Sequence, residues 1–369
     1  MKKSISYFFM AAMALLAANA SFTSCEKVSP TGVLIGNTSV DDRVQQSLVN
    51  DSYLDKTWDR TLADTIQEYS FLVGSDSHIT IDPGRLEEML DIGIENEDLF
   101  YCHLGDLADT KPEYYYNTEI ALNKATKKWF NKYLDPLTDT VGMAYTDTLL
   151  WIDPRTNVLY RTDLYDYIVP STLPFYPVVG NHDITHNGWA LFSRLFKTSF
   201  YEFTVSVIIE GDTVTDRFIF LDSANGTLGK YQIEQIDNDV FDIFSNEYKI
   251  YRNTFVFTHT NIFRPKLNEF ASTYCREELY YILDKLADWN TTIAFWGHVH
   301  AWDERDFGDV HHITMPSMNF VDHPNGGDDL LLRVTVKKDG KCECEPVGLY
   351  SKERSRQELQ QLGYYVKAK

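Results

Sequence analysis

What most limits the fold of this chain is a repeated event: a short apolar run stops, and an Asp, Asn or His stands where it stops. The run "FLVGSDSH" (71–78) delivers Asp76 and His78, "FYCHLGDLAD" (100–109) delivers Asp106 and Asp109, and "FYPVVGNHD" (175–183) delivers Asn181, His182 and Asp183. Later, "NTFVFTHTN" (253–261) carries His259, and "TIAFWGHVH" (292–300) carries His298 and His300. "FIFLDSANG" (218–226) ends similarly in Asp222, without a histidine. Short apolar runs bounded by turn formers read as buried strands. Helical patterns lie between them. In "DPGRLEEMLDIGI" (82–94), Asp82 is the expected N-cap and Pro83 the first helical residue; "NTEIALNKATKKWFNKYL" (117–134) is the next expected helix. Buried strands separated by helices imply a mostly parallel sheet with covered faces. Two hairpin patterns, at 201–222 and 329–348, make the expected fold class α/β with mixed sheets.

In open α/β sheets the carboxyl ends of the strands form the ligand-binding edge. A carboxylate, amide or imidazole at nearly every such end gathers donors for cations. A lone histidine such as His259 is usually a satisfied core residue, so the argument rests on the set. One catalytic ion takes about three protein ligands and leaves a position open. Here Asp76, His78, Asp106, Asn181, His259, His298 and His300 make seven candidates, and two ions sharing a carboxylate account for the surplus. Ions about 3.5–4 Å apart can activate a water and stabilise both oxygens of a phosphoryl displacement. The glycines before Asp106, Asn181 and His298 are expected to supply the tight turns.

The blocks D-x-H (76–78), G-D-x-x-D (105–109), G-N-H-D (180–183), His259 and G-H-x-H (297–300) occur in one order. This set resembles the calcineurin-like metallophosphoesterase superfamily over residues 70 to about 320. The resemblance implies a four-layer α-β-β-α sandwich. It implies that Asp76, His78, Asp106 and His300 hold one metal, that Asp106 bridges, and that Asn181, His259 and His298 hold the second. It further implies hydrolysis of a phosphoester by a hydroxide on the metal pair. His182 would contact the substrate phosphate and assist the leaving group, with Asp109 orienting its ring. A histidine suits that task because its ordinary pKa lies near working pH. Purple acid phosphatases have an iron-binding tyrosine where this chain has Asp109, so no tyrosinate–iron colour is expected. The N and O donors suit Mn, Fe or Zn without ranking them. Bifunctional nucleotidases carry a further domain after the metal core; residues 301–369 are chiefly a hairpin and a charged tail, which disfavours that branch.

The N-terminus reads separately. Lys2 and Lys3, the apolar run "ISYFFMAAMALLAANA" and "SFTSC" have the order of a secretory signal over residues 1–25. "FTSC" resembles a loose bacterial lipobox, so lipidation of Cys25 is expected, with plain secretion after Ala20 as the alternative. The chain is thus expected to be exported, as a periplasmic or cell-surface lipoprotein attached to a membrane only by its lipid. Residues 26–65 read as a tether, 66–350 as the catalytic domain with an acidic, Tyr-rich insertion near 135–172, and 351–369 as a charged tail. A length of 369 with 44% hydrophobic residues suffices for one large domain or two small ones. The 54 acidic against 34 basic residues give a net charge of −20, which repels nucleic acid. Four cysteines beyond the signal (Cys102, Cys275, Cys342, Cys344) form neither a disulfide scaffold nor a metal motif.

Other residues read more plainly. His103 is expected to pack and Asp222 to shape its loop, while His186 follows the third block and is a candidate for substrate approach. His311, His312 and His323 have no assigned role. Tyr114, Tyr115 and Tyr116 with Trp151 could stack on a sugar or base, or simply pack. Monoester hydrolysis is preferred over diester hydrolysis, and a surface lipoprotein that binds a glycan or phosphorylated ligand without turnover is the reading from another class. A pure binder has no need of the His182–Asp109 pair.

Overall fold

The computed structural model describes residues 38–49, 59–62, 65–66, 68–109, 111–133, 148–153, 158–163, 173–238, 251–265, 267, 269–319, 329–350, 355–361 and 366. The expected signal and lipobox (1–25), most of the insertion and His323 lie outside them. Among the described residues, no helix is long and apolar enough to cross a membrane.

The chain begins with helix α1 (Val40–Val49) and strand β1 (Arg60–Thr61), inside the stretch read as a tether. It continues through β2 (Glu68–Gly74), α2 (Gly84–Glu95), β3 (Phe100–His103) and α3 (Pro112–Tyr133). A hairpin of β4 (Thr148–Asp153) and β5 (Val158–Asp163) stands within the insertion, followed by β6 (Phe175–Pro177), α4 (Asn181–Ile184) and α5 (Gly188–Phe196). The second half holds β7 (Tyr201–Ile209), β8 (Asp212–Phe220), α6 (Lys230–Asp237), β9 (Thr254–Thr258), α7 (Arg276–Asp288) and β10 (Ile293–Trp296). Strands β11 (Asp303–Phe307), β12 (Val310–Thr314), β13 (Leu330–Lys337) and β14 (Cys342–Gly348) precede helix α8 (Arg356–Gln361).

Two mixed sheets result, in the orders β1-β7-β8-β9-β10-β12-β11 and β14-β13-β2-β3-β6. The central pairs β2/β3, β3/β6, β8/β9, β9/β10 and β10/β12 are parallel, whereas the hairpins β7/β8 and β13/β14 are antiparallel. Alternation along the strands explains the layering, because successive side chains point to opposite faces. Phe71, Val73, Phe218, Phe220, Phe255, Phe257, Ile293 and Phe295 all point into one cluster between the sheets. Their neighbours turn the other way: Leu72 joins a cluster with Leu86, Met89, Leu122 and Phe192 of the helices on the five-stranded sheet. Ile219, Val256 and Ala294 pack with Val44, Ile282 and Leu286 on the far side of the other sheet. The order is helices, sheet, sheet, helices, as the sequence resemblance implied. Stacked rings, such as Phe220–Phe257 at 4.5 Å and Phe257–Phe295 at 4.8 Å, fill the interface between the sheets.

Three local expectations are corrected. Helix α2 begins at Gly84 with Pro83 in the capping position; Asp82 Oδ1 still accepts the Gly84 N–H at 2.9 Å, one residue outside the expected frame. Helix α3 begins at Pro112 rather than at 117, because proline suits a helix's first turn and its missing N–H costs nothing there. Helix α1 is docked: Arg43 is fully buried, with Nε 2.8 Å from Asp222 Oδ2 and Nη2 2.7 Å from Asp222 Oδ1. Asp222 therefore shapes its loop as expected, accepting the Ala224 N–H at 3.2 Å, and also anchors an N-terminal helix. Cys102, Cys275, Cys342 and Cys344 are free thiols.

Candidate metal centre

The parallel strands of both sheets point their carboxyl ends at one place. From the five-stranded sheet, β2 runs into Asp76 and His78, β3 into Asp106 and Asp109, and β6 into Asn181 and His182; from the seven-stranded sheet, β9 runs into His259 and β10 into His298 and His300. Backbone pairing continues past the strands and holds these turns: Asp76 N–H donates to Gly105 O and His78 N–H to Asp106 O, both at 3.0 Å.

The turns are not made as the sequence suggested. Only Gly105 of the three expected glycines has a left-handed φ, +92°. The donor residues themselves lie in that region: Asp76 (φ 50°), His78 (41°), Asp106 (51°), His298 (73°) and His300 (49°). Non-glycine residues are rare there, and such strain of about 1–2 kcal/mol per residue gathers at functional sites. Gly180 and Gly297 serve close approach instead. A Cβ at Gly180 would stand 2.1 Å from the Asp106 amide nitrogen, and one at Gly297 would stand 2.5 Å from Ser75 Oγ.

The candidates come together in two groups and a third that links them. Donor atoms of Asp76, His78 and His300 lie within 4.8 Å of one another, as do those of Asp106, His259 and His298, and those of His78, Asp106 and His182, a group that shares a member with each of the others. His78 Nε2 and His300 Nε2 face each other at 3.1 Å, and His300 Nε2 stands 3.3 Å from Asp76 Oδ1. On the other side, His259 Nε2 is 2.9 Å from Asn181 Oδ1 and 3.5 Å from Asp106 Oδ2. Asp106 Oδ2 also lies 3.9 Å from His78 Nε2, so one oxygen borders both groups. Its companion Oδ1 is engaged, accepting the His182 N–H at 2.7 Å.

This arrangement fits divalent cations. Two ligands about 2.1 Å from one ion sit roughly 3.0–3.4 Å apart. The separations of His78 from His300, of His300 from Asp76, and of His259 from Asn181 and Asp106 are close to that size, and the one from Asp106 to His78 is longer. Asp76 Oδ1, Asp106 Oδ2 and His298 Nδ1 are buried without a hydrogen-bond partner, which is costly unless a cation satisfies them. His259 is prepared as a ligand: its Nδ1–H donates to Leu104 O at 2.7 Å, leaving Nε2 to face the site.

Electrostatics agree. Burial works to raise the Asp76 carboxyl, but the neighbouring His300 and His259 together outweigh it and hold its pKa well below the usual carboxylate range. Asp106 is likewise held low against burial, by His259 and His182. Burial pulls His259 down, yet Asp106 lifts it to about 9, and Asp76 raises His300 in the same way. Burial, with the charge of His259, pushes His298 down to about 4, so its ring is neutral near neutral pH. The carboxylates thus draw protons onto two imidazoles, and a divalent cation competes for the same charge.

Beside this cluster, His182 Nδ1 is 3.0 Å from Asp109 Oδ1. Burial raises the Asp109 carboxyl, and the hydrogen bonds from His182 and His78 outweigh it and bring it to about 2. Sequence reasoning had placed Asp109 against His182 alone.

It also missed the brace beneath. Asp183 is buried, and its carboxylate accepts the N–H groups of Gly180 (2.9 Å) and Leu107 (3.1 Å) and the Tyr115 hydroxyl (2.7 Å), tying the Asp106 turn to the Asn181 turn. Burial and the charge of Asp106 lift Asp183 to about 6. Nothing in "EYYYNT" singles out Tyr115, and a backbone acceptor such as Leu104 O leaves no trace in a sequence.

The remaining candidates lie elsewhere. His103 is fully buried on β3, and neither ring nitrogen has a hydrogen-bond partner. His186 is exposed, in the left-handed region at φ 50°. His311 pairs with Glu304 and Asp306, and His312 accepts the Trp296 Nε1–H at 3.2 Å. Tyr115 packs, Tyr116 is exposed, and the Trp151 side chain lies outside the described residues.

A mixed sandwich with this donor set at its strand ends is the metallo-dependent phosphatase fold. The family described as calcineurin-like phosphoesterase matches residues 69–302, and the chain belongs to that family. Membership implies a hydrolase in a family of phosphoesterases that depends on divalent metals, and the residue groups above are its candidate metal ligands. No curated protein matches the chain. Among solved structures it is similar to GAP50, the anchor in the inner membrane complex of Plasmodium, with 15% identity over 82% of this chain and 90% of that one and a TM-score of 0.47. It is similar to a dimetal phosphatase from Danio rerio (12% identity, 76% and 99% covered, TM-score 0.39). It is also similar to Yfce, a phosphoesterase from E. coli (12%, 76% and 99%, TM-score 0.30).

Proposed function

We propose that this chain hydrolyses phosphoesters at a site for two divalent ions, Mn, Fe or Zn. The observation that carries the reading is Asp106 Oδ2, a buried carboxylate oxygen without a hydrogen-bond partner that borders both donor groups. In this reading Asp76, His78, Asp106 and His300 hold one ion, and Asp106, Asn181, His259 and His298 hold the other. Bound divalent ions supply an activated water and positive charge against the phosphoryl oxygens.

The chain's own residues do the rest. Asp109 accepts the Nδ1–H of His182 and fixes its tautomer, which aims Nε2 toward the substrate. His182 holds a proton there and gives it to the leaving oxygen as the ester bond breaks. The left-handed turns hold the donors in place before any ligand arrives, so little ordering remains to be done on binding. Residues 1–25 support an exported, lipid-anchored setting for this chemistry.

The test is a panel of phosphomonoesters and phosphodiesters with Mn²⁺, Zn²⁺ and Fe²⁺ supplied separately. The wild type is expected to turn over one class, and His182→Ala to be slower by about 10²–10⁴-fold on substrates with poor leaving groups. A protein that binds metal yet leaves every ester intact contradicts hydrolysis and favours the ligand-binding lipoprotein.

A further inference from the structure

Asp109 does more than orient one ring. Its Oδ1 lies 3.0 Å from His182 Nδ1 and 3.1 Å from His78 Nδ1. The two imidazoles meet edge to face, with centroids 4.6 Å apart and planes at 87°. An ionised carboxylate only accepts hydrogen bonds, so both Nδ1 atoms carry the hydrogen and both rings are committed to their Nε2 faces. For His78 that face meets His300 Nε2 at 3.1 Å, inside the group that also contains Asp76.

The carboxylate is delivered by backbone pairing. Asp109 N–H donates to Ile79 O at 3.1 Å and Ile79 N–H to Leu107 O at 3.0 Å, so the turns carrying His78 and Asp109 are pinned to each other. Residues Ile79 and Ala108 form a parallel bridge beyond the ends of β2 and β3.

We propose that Asp109 is a positioning residue shared between the two functions of the site, orienting His78 toward one ion and His182 toward the leaving group through a single oxygen. The proposal rests on the two-ion hydrolase reading and deepens it. Partners that orient a ligating histidine typically govern metal affinity by 10–100-fold. Loss of Asp109 therefore weakens the ion beside His78 and spares the ion held by Asn181, His259 and His298, where His259 is oriented from elsewhere, its Nδ1 donating to Leu104 O.

The experiment uses the full chain with Asp109→Ala, Asp109→Leu, Asp109→Asn and His182→Ala. Mn²⁺ binding is measured by calorimetry, and hydrolysis is measured over aryl phosphates of graded leaving-group pKa. In Asp109→Ala one of two Mn²⁺ affinities is expected to fall about 10–100-fold while the other holds, and the rate to depend more steeply on the leaving group. His182→Ala is expected to steepen that dependence with both affinities retained. If Asp109→Ala does not fold, Asp109→Leu, of similar volume and without an acceptor, carries the same two readouts, while Asp109→Asn, whose Oδ1 can still accept both N–H groups, is expected to lie nearer the wild type. Two wild-type affinities in folded Asp109→Ala or Asp109→Leu, or equal weakening of both, overturn the shared role. A wild type that binds fewer than two Mn²⁺ overturns the two-ion reading as well, and that result is seen before any variant is made.

Discussion

Two clusters of buried charge sit at opposite ends of the same sandwich, and only one of them is complete. At the end away from the metal centre, Asp216 on β8 accepts from Tyr69 on β2 (2.7 Å), from Arg252 Nε (2.9 Å) and from Asn253 Nδ2 (3.0 Å), with Arg252 Nη2 as a further donor. Both its oxygens are engaged, and the cluster stitches one sheet to the other. At the carboxyl ends of the strands, Asp76 and Asp106 are just as buried, yet each keeps an oxygen with no hydrogen-bond partner, and the residues around them take left-handed backbone conformations. A fold that satisfies one buried aspartate four times over has the means to satisfy the others. The contrast separates charge used to hold the molecule together from charge kept ready for a cation.

The largest effect that can break this contrast is on activity. Asp106→Asn keeps the shape that accepts the His182 N–H but removes the shared charge; metal binding and hydrolysis are expected to fall to background. Its metal-free thermal unfolding is expected to shift less than that of Asp216→Ala. Equal activity with and without the Asp106 charge breaks the contrast at once. The next effect is on stability. Asp216→Ala leaves the Arg252 guanidinium without its carboxylate and is expected to cost about 3–5 kcal/mol in denaturant unfolding, with metal stoichiometry unchanged in the folded fraction. A loss of metal with intact stability in that variant reverses the assignment of roles.

How much of this was legible depended on whether the signal was local. The strands were, because Phe71, Phe255 and Phe295 sit in apolar runs, facing the core between the sheets while their neighbours Leu72, Val256 and Ala294 face the outer ones. The donors were too, since each stands at the end of such a run; His259 was readable only through its place in the order of the blocks. The docking of Arg43 on Asp222 was not legible, because a polar stretch gives no hint that one arginine will be buried 179 residues from its partner. Nor were the left-handed turns: the sequence offers glycines at 180 and 297, and the fold uses them for close approach while Asp76, His298 and His300 take the strain. The second bond of Asp109 escaped for a like reason, since it depends on the pairing of Ile79 with Ala108 past the strand ends.

The smallest effect sharpens the boundary between the two kinds of buried group. His103 is fully buried beside the site, and burial pushes its pKa from 6.5 down to about 3. Its folded value lies below its unfolded one, so the stability tied to its neutral form is present above pH 6.5 and is lost as pH falls toward 3. The slope is about 1.4 kcal/mol per pH unit. Unfolding of wild type and His103→Leu, compared from pH 7 to 4, is expected to show the wild type losing more across this window. A parallel pair of curves shows that His103 is engaged in a way its packing does not reveal.

The most direct measurement of the central claim is an anomalous-scattering map from crystals of the full chain grown with Mn²⁺. The account predicts two peaks about 3.5–4 Å apart, with Asp106 between them, Asp76, His78 and His300 around one, and Asn181, His259 and His298 around the other. A single peak, or none, contradicts it.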